Sequence, residues 1–278
     1  MRALVLTNSN PNQVALVNRL SDVCEIAAIV VSRNRPRRKP GFGARLRAGW
    51  LRVAEATQGK DLRGAWKSMQ DRYSTQFPSF PATRMLHVSN VNDSEVLSEI
   101  DRLNPDLLIV SGTNLLGKKL IAHAQKKTRI LNLHTGISPY VKGGPNCTNW
   151  CLAKGWFHLI GNTIMWLDAG IDTGHIVATE QTPLTGTESL NELHVAVMDH
   201  AHDLYRRAVQ ALEAGDVKST PQQELGDGTT FFSHDWNARQ MKQALFNFRH
   251  HYSKEAVNAR ASRLASEMKR LVPLVFER

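Results

Sequence analysis

Cysteine is scarce: three in 278 residues, an odd number that argues against a disulfide framework. Cys147 and Cys151 stand four apart on a helix-compatible run, but two thiols do not make a metal site. No Cys/His pair completes one, so they are read as small core residues and no metal is expected. No apolar run approaches the ~20 residues needed to cross a bilayer. The N-terminus enters a strand directly, without the basic leader, apolar core and cleavage site of a signal peptide, so a cytoplasmic location is expected. The loop after that strand lacks G-x-G-x-x-G, so a dinucleotide is not indicated; Asn8, Ser9 and Asn10 are still placed to receive a phosphate or sugar of a substrate at a helix N-terminus. Toward the C-terminus there is no series of short alternating strands of the kind a terminal β-barrel needs.

What is present supports a sizeable core, with 42% hydrophobic residues in one large domain or one domain and an appendage. Arg2 to Thr7 is an apolar strand. The loop Asn8 to Pro11 leads to a helix through Val14, Leu16, Val17 and Leu20, and Glu25 to Val31 is a second strand. Strand, loop, helix, strand opens an α/β, Rossmann-like, doubly wound and mostly parallel sheet, with ligands expected at the carboxyl ends of the strands. The plan resumes at His87 to Asn90, with a helix from Asp93 to Leu103, a buried-type strand up to Gly112 and a helix from Lys118 to Lys126.

Between these, about 33–81 is a basic, helical insertion. It opens on Arg-Asn-Arg-Pro-Arg-Arg-Lys-Pro-Gly and has helical runs around Ala44 to Ala56 and Asp61 to Tyr73. Residues 33–72 hold 12 Lys/Arg against 3 Asp/Glu, and residues 239–278 hold 9 against 3, so within a net charge of +10 a mildly acidic body lies between basic flanks. A solvated excursion on the sheet edge explains this. So does a clamp on an anionic acceptor, an acidic membrane surface with Trp50, Leu51 and Val53 as anchors, or tRNA; the sequence does not choose.

The chain is organised around residues 130–178. Ile130 to His134 alternates apolar and polar at the period of a strand, so Asn132 and His134 share a face at its end. An amide that donates to a developing oxyanion and an imidazole that moves a proton suit acyl transfer. The turn-rich run Ser138 to Pro145 follows, then a helix near Thr148 to Lys154, a strand from Asn162 to Leu167, and the loop Asp168 to Gly174.

In order and spacing, Asn132-Leu133-His134, Pro139, Lys142-Gly143 and Ile171-Asp172-Thr173-Gly174 resemble the 10-formyltetrahydrofolate-dependent formyltransferases. That family includes methionyl-tRNA, glycinamide ribonucleotide and sugar N-formyltransferases. The resemblance implies the formyltransferase fold, with Asn132 and His134 polarising the formyl group and stabilising its tetrahedral intermediate, and with Asp172 orienting the His and relaying the amine proton. It implies a folate pocket at Asn114, Leu115 and Leu116, faced by Leu167, Asp168 and Gly170. After the His many members have Ser at the second position, where this chain has Thr135-Gly136.

On this reading residues 1–215 form the catalytic domain and 216–278 a mostly helical extension. Thr185-Gly186-Thr187-Glu188 reads as a capping box for a long helix ended by Gly215, on which His194, His200 and His202 read as surface residues. Val257, Ala261, Leu264, Met268 and Leu271 form an amphipathic seam expected to pack on the body or in a homodimer. With no barrel, the expected acceptor is a small amine, the amino group of a nucleotide-linked amino sugar, with Lys142 and Asn8 to Asn10 holding it. Formylation of Met-tRNA is the alternative that the charge favours, and hydrolysis of formyltetrahydrofolate a second.

Overall fold

Alternation in the first strand decides the layering. In β1 (Arg2–Thr7) Ala3 and Val5 face one side, packed with Leu16, Val17 and Tyr205, whereas Leu4 and Leu6 face the other, packed with Val96, Ile100 and Ile121. A strand apolar on both faces is stable only with helices over both. The computed structural model describes residues 1–36, 41–144, 146–170 and 172–275, apart from the side chains of residues 42, 44, 45, 47 and 55. Arg37, Arg38, Lys39 and Pro40 of the basic run, Pro145 and Ile171 lie outside the described residues.

In chain order β1 is followed by α1 (Pro11–Leu20), β2 (Glu25–Ser32), α2 (Phe42–Thr57), α3 (Lys60–Gln76), β3 (Met85–Val88), α4 (Ser94–Leu103), β4 (Leu107–Val110), α5 (Lys118–Ala124) and β5 (Arg129–His134). Then come β6 (Val141–Gly143), α6 (Cys147–Lys154), β7 (Gly161–Trp166), β8 (Ile176–Gln181) and α7 (Leu190–Ala214). The last are β9 (Thr229–Phe231), α8 (Ala238–His251), α9 (Lys254–Asn258) and α10 (Arg260–Ser266). The main sheet runs β3-β2-β1-β4-β5-β7-β8. Its first five strands are parallel, and β7 and β8 are antiparallel to their neighbours. It is the mostly parallel α/β sheet that the sequence predicts. A small parallel pair joins β6 to β9.

Tyr205 of α7 holds the carboxyl ends of β4 and β5. Fully buried, its hydroxyl accepts from the Val110 backbone N–H at 3.2 Å and donates to the Leu131 carbonyl at 2.6 Å. Those contacts sit beside the pairing of Val110 with Asn132, the residue that β5 also pairs with Met165 of β7.

Four expectations change. The capping box of α7 is Ser189 with Glu192. The Glu188 carboxylate instead receives the Thr185 and Gly186 backbone N–H groups, the latter residue at φ +81, and the Tyr252 hydroxyl, which closes a turn rather than starting a helix. The second part of the basic insertion is not a solvated excursion: Leu62, Ala65, Met69 and Tyr73 of α3 are buried, with Met69 and Tyr73 packed against Ala15 of α1 and Val195 and Met198 of α7. That covering helix also removes His194 and His202 from the surface. The C-terminal seam is not one helix: it is broken by Ala259 and by Met268 at φ +52, and Val257 and Leu264 pack in the chain's own body, one of the two expected places, while Met268 stands 86% exposed.

Burial holds the imidazole of His202 down at about 3, helped by the Arg19 guanidinium that donates to its Nδ1, and burial alone holds His194 at about 4. Both are neutral when folded and take a proton below about 6.5 when unfolded. Their contribution is therefore complete above that pH and is lost as pH falls from 6.5 toward 4, at about 1.4 kcal/mol per pH unit and group. Urea unfolding at pH 7, 6 and 5 checks this: His202→Gln, neutral throughout, is expected to show a shallower loss than wild type, and an equal slope contradicts the assignment.

Candidate functional site

The carboxyl end of β5 carries the first two groups, and the loop between β7 and β8 the third. Asn132 is half-buried, and its carboxamide makes no hydrogen bond to another described side chain or backbone group. His134 is 7% exposed, with Nε2 at 2.9 Å from the Val141 carbonyl oxygen and Nδ1 at 3.3 Å from Asp172 Oδ2. Asp172 sits at φ +50, a left-handed conformation that Asp tolerates, and its Oδ2 also accepts the Gly143 backbone N–H at 2.9 Å. Oδ1 has no hydrogen-bond partner among the described residues.

Nε2 is thus within hydrogen-bond reach of a carbonyl and Nδ1 faces a carboxylate as an ion-pair contact, an arrangement that suits the imidazolium. Burial on its own lowers the affinity for a proton; the Asp172 carboxylate, with the Cys147 sulfur and the Val141 carbonyl, overrides it and raises the group above its ordinary value. The Cys147 thiol, also buried, is pushed up and stays protonated.

A cleft of about 630 Å³ opens over this trio, within the ~300–1,000 Å³ of small-ligand sites. Of the predicted folate residues, Asn114, Leu115 and Leu116 line one side and Leu167, Asp168 and Gly170 another. Asn114 donates to the Asn34 carbonyl at 3.2 Å, but its Oδ1 is buried with no partner, an acceptor that a bound heterocycle's N–H would satisfy. Among the predicted acceptor residues, Asn8 and Asn10 line the cleft, whereas Ser9 and Lys142 are not among its lining residues. Asn8 is committed internally: its amide donates to the Gly112 carbonyl and its Oδ1 accepts the Asn10 N–H at 2.8 Å. Gly112 itself is at φ +74 and a Cβ there would meet Gln13 at 2.8 Å, so this crossing of loops requires glycine.

Sequence reasoning missed the far wall. Asn12 and Gln13 of α1, Trp66 of α3 and Met198 of α7 line it, and Phe231, Phe232 and Ser233 close it from the C-terminal segment. Asn12 is paired with Gln70 of α3, backbone N–H to Oε1 at 3.1 Å and Oδ1 from Nε2 at 2.9 Å. Among the described residues the lining includes no Lys or Arg, and its ionisable groups are Asp168, Asp172 and His134. Gln222, buried and distant in sequence, donates through Nε2 to the carbonyls of Asp172 and Gly174, both at 2.8 Å, and so ties the Asp172 loop down. No local pattern signals a glutamine in an irregular stretch as a clamp on a loop some 50 residues away. Among the described residues no cluster of three His, Cys, Asp or Glu is placed to hold a metal.

A family model described as formyl transferase matches residues 46–209. The methionyl-tRNA formyltransferase of Syntrophus aciditrophicus is 28% identical over 199 residues, which cover 72% of this chain and 54% of that protein. The chain spans about half the length of the curated relatives it matches. Among solved structures, phosphoribosylglycinamide formyltransferase from Anaplasma phagocytophilum superposes with a TM-score of 0.53 at 18% identity, over 84% of this chain and 98% of that one. A sugar N-formyltransferase from Shewanella gives 0.52 at 13% identity, over 89% and 87%. At such identities the likeness is one of fold.

If Gln222 holds the loop, Gln222→Ala leaves two buried carbonyls without their donor, at about 1–3 kcal/mol of stability. Amide exchange is expected to quicken selectively in residues 168–174 while β4 and β5 keep their protection; unchanged exchange in the loop would refute the clamp.

Proposed function

The chain belongs to the formyl transferase family, and from that premise we propose that it moves a formyl group from 10-formyltetrahydrofolate to the amine of a small acceptor, a nucleotide-linked amino sugar. The observation that carries the chemistry is the trio at the end of β5: an unpartnered carboxamide, a buried imidazole facing a carbonyl and a carboxylate, and that carboxylate with one oxygen free. Asn114, Leu115 and Leu116 with Leu167, Asp168 and Gly170 are suited to the folate, since they combine apolar walls with the orphaned Asn114 oxygen. Bound there, the folate supplies an electrophilic formyl carbon.

The chain's own groups do the rest. The Asn132 amide donates to the formyl oxygen as it gains charge, an interaction worth about 3–4 kcal/mol when lost in comparable sites. The His134 cation lies beside the same centre and holds the Asp172 carboxylate in place. Asp172 Oδ1 takes the proton that the attacking amine releases as its bond to the formyl carbon forms, and gives it to the departing folate nitrogen as the C–N bond on that side breaks. In this account His134 contributes charge and orientation, and the oxygen of Asp172 replaces the imidazole as first proton acceptor.

The acceptor follows from the far wall. Carboxamides from Asn10 and Gln13 beside the rings of Trp66 and Phe232 suit a hydroxyl-bearing ring, and a lining without Lys or Arg among the described residues suits an uncharged one, with any diphosphate held outside toward the basic insertion. Residues 216–278 are then an extension that completes the cleft of a body formed by 1–215, in a protein we place in the cytoplasm. A second reading, formylation of Met-tRNA, is favoured by the names of the relatives and by the positive charge of residues 33–72.

Tetrahydrofolate formation with nucleotide-linked amino sugars and Met-tRNA in parallel decides between them. The expected result is turnover with an amino sugar, lowered by about 10²–10³-fold in kcat for Asn132→Ala with KM for the folate little changed. Turnover with Met-tRNA alone, falling steeply with salt, would replace this acceptor, and turnover with neither would overturn the proposal.

A further inference from the structure

His134 sits in a socket that the reading above does not use. One wall is the Val141 carbonyl, 2.9 Å from Nε2. A second is Cys147, the first residue of α6, whose Sγ lies 3.6 Å from Nε2 and 3.4 Å from the Gly143 carbonyl oxygen. Since the Nε2 proton goes to Val141, the thiol donates to Gly143 and turns its sulfur lone pairs toward the ring. The third wall is Gly136. A Cβ at that position would stand 2.6 Å from His134 Nε2, 2.9 Å from the Val141 oxygen and 3.0 Å from Cys147 Cβ.

Real Cβ atoms do not approach ring nitrogen or backbone oxygen so closely, and neither neighbour is the free end of a flexible chain. The ring is 7% exposed, and the cleft it lines is the side toward which an added Cβ would push it. Gly136 is not held at a positive φ, so its backbone does not call for glycine; the space does. This is the position at which the sequence departs from the serine of the commoner motif, and an imidazole nitrogen occupies the room that departure leaves.

We propose that Gly136 and Cys147 are positioning residues, which build the socket that seats the His134 ring on the Val141 carbonyl and so fix the side from which it meets Asp172 and the cleft. Neither touches substrate in this account. Cys147 acts through the volume and weak acceptor character of its sulfur, and no thiol chemistry is involved. The proposal rests on His134 belonging to the formyl-transfer site; the socket itself can be measured without turnover.

The titratable groups facing the ring are Asp172 on one nitrogen and Cys147 on the other, with Cys151 behind Cys147. The variants are Gly136→Ala, Cys147→Ala and Cys147→Ser, each checked for folding by circular dichroism. His134 ring resonances are followed against pH by NMR, and kcat and KM are measured where an acceptor is turned over. Gly136→Ala is expected to displace the ring, move its resonances and lower kcat by about tenfold or more, with the folate KM nearly unchanged. Cys147→Ala should shift the ring titration downward, and Cys147→Ser, which restores a polar atom of similar size, should bring it most of the way back. Folded Gly136→Ala and Cys147→Ala proteins with wild-type His134 resonances and titration would overturn the proposal. Altered His134 resonances in the variants, together with a wild-type protein that turns over no acceptor, would leave the socket standing and reject the functional reading instead.

Discussion

A buried imidazole with a carbonyl at one nitrogen and a carboxylate at the other is the constraint from which the rest of the site follows. Together Val141 O and Asp172 Oδ2 suit the doubly protonated ring. A cation 7% exposed is tolerable only beside its carboxylate, so the loop that carries Asp172 must be held to the end of β5. Three connections hold it: the Gly143 N–H on Oδ2, the Gln222 amide on the Asp172 and Gly174 carbonyls, and the ladder between β5 and β7. Tyr205 fixes the strand end itself. The pieces come from five separated stretches of chain, and the fold brings them to one point.

The layering and the placing of Asn132 and His134 on one face were legible because they depend on local patterns, whereas Asp172 entered only through the family resemblance. Two-sided apolar strands alternating with helices gave the sheet, and Asn132-Leu133-His134 at the end of a strand placed two groups on one face. What was not legible depends on which surface covers which. α7 reads as an amphipathic helix with histidines on its wet side, but α3 covers that side, so His194 and His202 are dry. A helix between two layers looks like a surface helix when the second layer comes from an insertion read as solvated. Gln222 and the Phe231 to Ser233 wall lie in a stretch with little periodicity, and nothing short of the fold reveals their destination. The seam from Val257 to Leu271 was a true periodicity without a continuous helix to carry it.

Charge is divided in a way composition conceals. The chain is +10 overall, but among the described residues no Lys or Arg lines the cleft and two aspartates do. On the proposed function, that lining suits an acceptor whose amine-bearing ring is neutral.

The most direct test is the charge state of His134 in the wild-type protein, read from the two ring ¹⁵N shifts at pH 7. The account predicts that both nitrogens carry protons, with Asp172→Asn converting the ring to a single neutral tautomer. A wild-type ring with one unprotonated nitrogen would contradict it, because His134 would then be free to act as the base and the role given to Asp172 would fall.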